Sequence, residues 1–376
     1  MYKIAINARY LLPGKIEGTG RFTLELMSRL VHMRPDYTFY LLYDREQEAY
    51  MIEAPNVQHH VIWPPARHPA LWFVWGHMQL PFFLKKNKID LYIGTEGFVP
   101  LRGKPKTISV IHDLNFEHIQ TQLPWSALWY YKHMYPRYAK ACTRVVTVSQ
   151  YSASDIANTY GIEQDKISVV YNAASELFMP VNADEKQKTI QLITGGKPYF
   201  VYLGSVNPRK NIVGLLRAFE KYKSTSSDEI KLVIVGNTMH GNSALDTFMA
   251  GMKHINDVIF TGYLHNDSMI EALASAEALV YVPLFEGFGI PVIEAMKCGV
   301  PVIASNVTSL PEVAGDAALL VQPNDTEAIA QCMFELRTNP QKRLSLIQAG
   351  FNRAKTFSWE KSAIQLAQIV DSILEK

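Results

Sequence analysis

Two glutamates and one pair of neighbouring cations are the residues here whose types and spacing could do chemistry. Glu286 stands on the glycine-rich run Phe285-Glu286-Gly287-Phe288-Gly289, directly after the apolar stretch Ala278 to Leu284, which reads as a buried strand. Glu294 follows in the first turn of a helix that Pro291 can open. Between them Gly287 and Gly289 let backbone come close to a ligand, and the free amides of the following helix favour an anion such as a phosphate. Arg209 and Lys210 lie in a turn between an apolar strand and a helix whose Ile212, Leu215, Leu216 and Phe219 fall at helical spacing. Such strand-to-helix turns are where open α/β sheets bind ligands. A guanidinium and an ammonium fixed there stabilise the charge that grows on a departing diphosphate without any proton transfer. His112 ends the apolar run from Ile108 to Ile111 and so also stands near the carboxyl end of a strand, while Asp113 beside it is equally a turn or cap residue. The combination suits a sugar nucleotide.

These residues need strands and helices to hold them. Strand-like runs alternate with amphipathic helices in both halves, the pattern of parallel sheets covered on both faces. The first half offers strands at Tyr2 to Asn7, Tyr37 to Tyr43, Val57 to Trp63, Ile89 to Ile93, Thr107 to Ile111, Val145 to Val148 and Ile167 to Tyr171. The second offers Tyr199 to Leu203, Lys231 to Val235, Val258 to Phe260, Leu279 to Val282, Val302 to Ala304 and Ala318 to Val321. We therefore expect an α/β chain of two Rossmann-like domains, residues 1–178 and 199–357, joined by a linker over 179–198. The linker includes a short helix capped by Asn182 and stopped near Gly195-Gly196. Residues 358–376 form a last helix, with Ser358 as its cap and an apolar stripe of Ile364, Ile369, Val370, Ile373 and Leu374.

A chain of 376 residues with 48% hydrophobic residues can build two cores. Its 37 basic and 35 acidic residues nearly cancel, giving no bulk reason to bind nucleic acid, so any anion must be held locally. Cys142, Cys298 and Cys332 form no Cys-x-x-Cys pair, which speaks for a reducing compartment, small core residues and no structural zinc. Near Met1 the apolar run Lys3 to Asn7 is too short for a signal peptide, and we expect a cytoplasmic enzyme.

Glu286 and Glu294, with their spacing, resemble the two-glutamate motif of the retaining glycosyltransferases of family 4, which have the GT-B fold. Gly204-Ser205-Val206-Asn207-Pro208-Arg209-Lys210-Asn211 resembles the family's donor-phosphate loop, and His112-Asp113 resembles its motif after an N-terminal strand. Phe260-Thr261-Gly262-Tyr263-Leu264 and Pro301-Val302-Ile303-Ala304-Ser305-Asn306 are similar to further family segments. The resemblance implies two domains facing across a cleft, with the terminal helix crossing back to the first. It implies catalytic roles for His112, Glu286, Arg209 and Lys210, with His112 positioning the reacting sugar and Glu286 touching donor hydroxyls or the leaving phosphate. On the donor it places Glu294 at the ribose hydroxyls, Gly204, Arg209 and Lys210 at the phosphates, and the backbone of Phe288, Gly289 and Ile290 at the diphosphate. Gly18 and Gly20 belong to a glycine-rich loop near that diphosphate, and Tyr263 flanks the base. No metal or cofactor is implied beyond the nucleotide-sugar substrate.

Within the family, the Asn-Ala-Arg start, Gly18-Thr19-Gly20-Arg21 and the Asn207 to Asn211 loop look most like bacterial mannosyltransferases of surface polysaccharide. GDP-mannose is then the expected donor, and a glycan or lipid-linked glycan the acceptor. Asn172-Ala173-Ala174 departs from the glycine that relatives often carry after the asparagine. A GT-B epimerase or hydrolase, or an inactive sugar-nucleotide-binding module, is the alternative reading. Trp63 to Trp75 mixes aromatics with basic groups, followed by Lys85, Lys86 and Lys88. That mixture fits a packed amphipathic helix as well as a peripheral membrane contact through Trp72, Phe73 and Trp75. Ala70 to Leu84 falls short of the roughly 18 to 20 apolar residues that span a bilayer.

Overall fold

The computed structural model describes every residue except 13–17, 48, 67, 104, 120–122, 238–242 and 376. Its contacts gather the chain into two compact units, Met1–Asn172 with Ser358–Lys376, and Ala173–Phe357.

The first unit holds a sheet of seven parallel strands: β1 (Lys3–Asn7), β2 (Thr38–Tyr43), β3 (Val57–Val61), β4 (Leu91–Gly94), β5 (Lys106–Val110), β6 (Arg144–Thr147) and β7 (Ile167–Val169). Their order, β3-β2-β1-β4-β5-β6-β7, reverses direction between β1 and β4. The central strands are buried on both faces, which is why they read as continuous Val, Ile and Leu runs. β3, at the edge, carries Gln58, His59 and His60 instead. The final helix, Trp359–Leu374, belongs to this unit and packs on the helix Gly18–Met33. Asp371 on it takes both Nε and Nη2 of Arg34 and the hydroxyl of Tyr37 at 3.0 Å. Its buried stripe runs through Ala363, Leu366, Ala367, Val370, Ile373 and Leu374, while Ile364, expected in it, is 45% exposed. Ser358 stands at the N-cap without a side-chain capping bond.

The aromatic stretch after β3 splits by face. It is helical from Pro69 to Lys86, with a π-turn at Trp75–Gln79. Trp75 is fully buried and donates Nε1–H to the carbonyl of Ile62 at 3.0 Å, so it is core and not a membrane-contact residue. Trp72 donates to the carbonyl of Ala66 and stacks on Tyr131, also inward. The outward face carries Phe73, Met78 and Phe82 with Lys85 and Lys86. From the next helix, Trp125–Ala141, Tyr130 joins the core, whereas Trp125 and Trp129 are exposed. Among the described residues no helix is long and apolar enough to cross a membrane.

The second unit repeats the architecture with six parallel strands: β8 (Tyr199–Leu203), β9 (Lys231–Val235), β10 (Val258–Gly262), β11 (Ala278–Tyr281), β12 (Val302–Ser305) and β13 (Leu319–Val321). Their order is β10-β9-β8-β11-β12-β13, reversing between β8 and β11. The segment read as a linker contains the helix Ala183–Thr194, with a capping box between Asn182 and Glu185 and a left-handed Gly195 at its end. That helix packs on Asn266–Ala274 within the same unit. Cys142 and Cys298 are core residues, and Cys332 is half-buried.

Candidate functional site

The reversal of strand order between β8 and β11 opens a crevice at their carboxyl ends, the usual ligand position in such sheets. The loop after β8 carries Arg209 and Lys210, and the loop after β11 carries Glu286. Backbone ties the two loops: the amide of Leu284 donates to the carbonyl of Arg209 at 2.9 Å, and Arg209 Nη1 donates to the carbonyl of Phe285 at 3.0 Å. Asn211, left-handed at φ 58°, donates to the carbonyls of Val282 and Pro323, which fixes the start of the helix Ile212–Thr225. The apolar run after Ala278 leaves the sheet at Tyr281, three residues before its expected end, because Val282 and Leu284 turn to these bonds.

Glu286 is buried among donors. Its Oε1 takes the ammonium of Lys210 in a close contact, the hydroxyl of Tyr281 at 3.0 Å, and the guanidinium of Arg209 at 3.3 Å. Lys210 also donates to Tyr281 Oη at 2.6 Å. Burial pushes the Glu286 carboxyl upward, but Arg209, Lys210 and the Tyr281 hydroxyl outweigh it and hold the group below the usual carboxylate range. Two cations thus meet one carboxylate here, an arrangement that keeps a positive excess at Glu286 for an anionic ligand. The backbone is held too. Glu286 N–H donates to Thr308 Oγ1 at 3.2 Å, and Ser309 Oγ donates to the carbonyls of Glu286 and Phe288 at 2.9 and 3.1 Å.

Gly289 has φ 97° and a Cβ placed on it would lie 2.4 Å from Leu310 Cδ2, so only glycine fits. It caps the helix Ile290–Lys297, whose first amides follow Phe288. Glu294 is buried on that helix, but at its fifth position, one turn further in than Pro291 suggested. Gly204 closes β8 at φ 141°, and its amide bonds to the carbonyl of Val235 at 2.9 Å. Tyr263 is 57% exposed beyond β10, its ring against His265. The structure therefore brings Arg209, Lys210 and Glu286 into direct contact.

In the first unit, His112 follows β5 half-buried, its ring edge-on to Phe22 at 4.9 Å. Nε2 lies 3.1 Å from the carbonyl of Thr95, so it carries the proton and leaves Nδ1 as an acceptor. Burial lowers its pKa, only partly offset by Thr95 and Asp113, and the imidazole is neutral at pH 7. Asp113 accepts from the amide of Asn115 at 3.0 Å, which is the turn role open to it from sequence. Gly18 and Gly20 are the first and third residues of the helix Gly18–Met33 rather than loop residues, and residues 13–17 before them lie outside the described chain.

Sequence reasoning missed Tyr281, Thr308 and Ser309. Tyr281 ends a buried strand with a hydroxyl, the one local signal that it serves the site. Thr308 and Ser309 act through bonds spanning more than twenty residues, which no spacing reveals.

Comparison with known proteins supplies the frame. The family model described as Glycosyltransferase Family 4 matches residues 16–175, and that described as Glycosyl transferases group 1 matches residues 183–353. The O-antigen chain mannosyltransferase B of Escherichia coli is 27% identical over 93% of this chain and 94% of its own. The O-antigen chain mannosyltransferase RfbU of Salmonella typhimurium is 28% identical over 74% of each. Among solved structures, sucrose-phosphate synthase from Thermosynechococcus elongatus superposes with a TM-score of 0.82 at 18% identity, covering 100% of both chains.

Proposed function

We infer that this chain, which belongs to glycosyltransferase family 4 and has the GT-B fold, moves mannose from GDP-mannose to a glycan or lipid-linked acceptor in surface polysaccharide synthesis. The observation that carries the reading is the Arg209, Lys210 and Glu286 cluster at the reversal point of the second sheet. The choice of mannose is supported by the printed names of the two bacterial relatives. In this reading the loop from Gly204 to Asn211 and the backbone of Phe288, Gly289 and Ile290 hold the diphosphate. Gly18 and Gly20 belong to its surroundings, Glu294 takes the ribose hydroxyls, and Tyr263 lies by the base. Domain limits of 1–178 and 199–357, with 358–376 as terminal helix, are kept for the acceptor-side and donor-side modules.

The reaction retains configuration by a front-face path. The anomeric carbon–phosphate oxygen bond breaks, the acceptor oxygen bonds to the same face, and the acceptor's proton passes to the departing diphosphate. Arg209 and Lys210 stabilise the growing charge without a metal, and neutral His112 orients the sugar. The clamping of Glu286 by Lys210, Tyr281 and Arg209 supports a donor-holding role over nucleophilic attack. The exposed face of Phe73, Met78 and Phe82 beside Lys85 and Lys86 supports a peripheral contact with the cytoplasmic leaflet.

The test is product analysis with GDP-mannose, UDP-glucose and a mannose-terminated acceptor, with and without chelator. An α-mannoside formed only with acceptor and GDP-mannose, undiminished by chelation, is expected. A β-linkage by NMR rejects retention, transfer from UDP-glucose alone rejects the donor, and consumption of donor without any acceptor favours a hydrolase or epimerase.

A further inference from the structure

The first sheet has its own reversal point, between β1 and β4. The loop after β1 carries Arg9 and the loop after β4 carries Glu96, so a cation and a carboxylate flank this point just as Arg209, Lys210 and Glu286 flank the one between β8 and β11. Arg9 donates to Glu96 Oε1 through Nε at 2.9 Å and Nη2 at 2.8 Å, and Asn7 Nδ2 donates to the same oxygen at 2.8 Å. The guanidinium lies over the rings of Trp75 and Phe98, at 4.4 and 5.1 Å. All three measured side-chain bonds fall on Oε1, and Oε2 keeps its acceptor capacity.

Nothing in the packing calls for this charge. Burying an ion pair costs several kcal/mol per ion in desolvation, and a hydrophobic pair of similar volume often serves stability as well or better. The surroundings also have an open side. Tyr10, two strand-end residues beyond Ala8, is 46% exposed and faces the Glu96 carboxylate, whose charge, with burial, raises the tyrosine pKa and keeps its hydroxyl a donor. Glu96 is further linked to His112, because Thr95, its chain neighbour, supplies the carbonyl that holds His112 Nε2. A fixed carboxylate beside an exposed aromatic ring is the chemistry that recognises a neutral sugar: the carboxylate accepts from hydroxyls and the ring covers a C–H face of the pyranose.

We propose that Glu96, oriented by Arg9 and Asn7 and flanked by Tyr10, is a second sugar-binding subsite and receives the pyranose of the acceptor. The proposal rests on the glycosyl-transfer reading for the word acceptor, while its geometry stands on the first unit alone. It assigns to Glu96 hydrogen bonds from two neighbouring hydroxyls and to Tyr10 the stacking surface.

The experiment is saturation-transfer NMR with methyl α-D-mannopyranoside at millimolar concentration, run on the full chain, on Glu96→Gln and on Tyr10→Ala, with GDP affinity measured in parallel. The expected result is mannoside binding by the unmodified protein, weakened at least about tenfold in both variants, with GDP affinity unchanged. Tyr10→Ala alters a half-exposed side chain, so it decides the matter if Glu96→Gln, which leaves Arg9 without its counter-charge, does not fold. Absence of mannoside binding by the unmodified protein, or undiminished binding by folded Tyr10→Ala, overturns the subsite. Failure of GDP to bind would instead remove the nucleotide-sugar reading and leave the mannoside arm to judge Glu96.

Discussion

Arg209 and Lys210 are adjacent and both cationic, yet the structure predicts different consequences for their loss. Arg209 has a side chain 25% exposed, and when it is cut to alanine Glu286 still holds Lys210 and Tyr281. No buried charge is stranded, so Arg209→Ala should change stability by less than about 1 kcal/mol. What it loses is a charge-assisted hydrogen bond to the leaving diphosphate, worth roughly 1.5 to 3 kcal/mol, or a ten- to hundredfold fall in kcat/KM. Lys210 is 10% exposed and its ammonium is bonded to both Glu286 and Tyr281. Lys210→Ala leaves a buried carboxylate with only the more distant Arg209, and a deficit of about 2 to 4 kcal/mol is expected on top of the catalytic loss. The sign with pH follows. In the unmodified protein the Glu286 carboxyl is depressed, so its contribution is present above the unfolded value of about 4.3 and is lost as pH falls through the folded value. Removing Lys210 lifts the folded value, and the stability gap between variant and parent must shrink as pH falls from 7.5 to 5. Thermal melts at both pH values, with kcat and KM at pH 7.5, measure all of this. A Lys210→Ala protein as stable as its parent at pH 7.5, or Arg209→Ala with full turnover, refutes the reasoning.

Gly289→Ala forces a Cβ to 2.4 Å from Leu310 at φ 97°, so a loss of roughly 2 to 4 kcal/mol and of activity is expected in urea titrations and rate assays. Asp371→Asn removes the counter-charge of Arg34, and because Asp371 is about a quarter exposed the cost is near 1 kcal/mol. That carboxyl is lowered by its bond to Arg34 against opposing burial, so the deficit should be full at pH 7 and disappear in melts taken below its folded pKa. Replacing Phe73, Met78 and Phe82 together by serine should reduce cosedimentation with anionic vesicles several-fold while the melting temperature holds, whereas vesicle binding unchanged in that variant removes this face from the contact.

The sheets were legible because parallel strands buried on both faces need unbroken apolar runs, and every one of the thirteen runs read from sequence forms a strand. Their ends shifted by a residue or two where local bonds compete, as at Val282 and Leu284. Arg209, Lys210 and Glu286 were readable because each follows such a run directly. Tyr281 and Ser309 were hidden because they join the site through contacts between separate loops. Trp72 and Trp75 misled for a related reason: a mixed aromatic and basic stretch states that one face is apolar, but not which side chains the π-turn at Trp75–Gln79 rotates inward.

A buried cation paired with a carboxylate is a poor device for stability, since desolvation consumes most of the attraction. This chain nevertheless places such pairs at the reversal points of both its sheets, Arg9 with Glu96 and Lys210 with Glu286, where neighbouring loops diverge and no helix must fill the gap. In each pair most of the measured bonds converge on Oε1 of the glutamate. A group held this firmly loses little further freedom when a hydroxyl or phosphate arrives, so the cost of ordering is met on folding and not on binding. Stability alone would favour Leu or Met at these positions; the retention of charge at both is what a protein that must hold polar ligands at the ends of its strands requires.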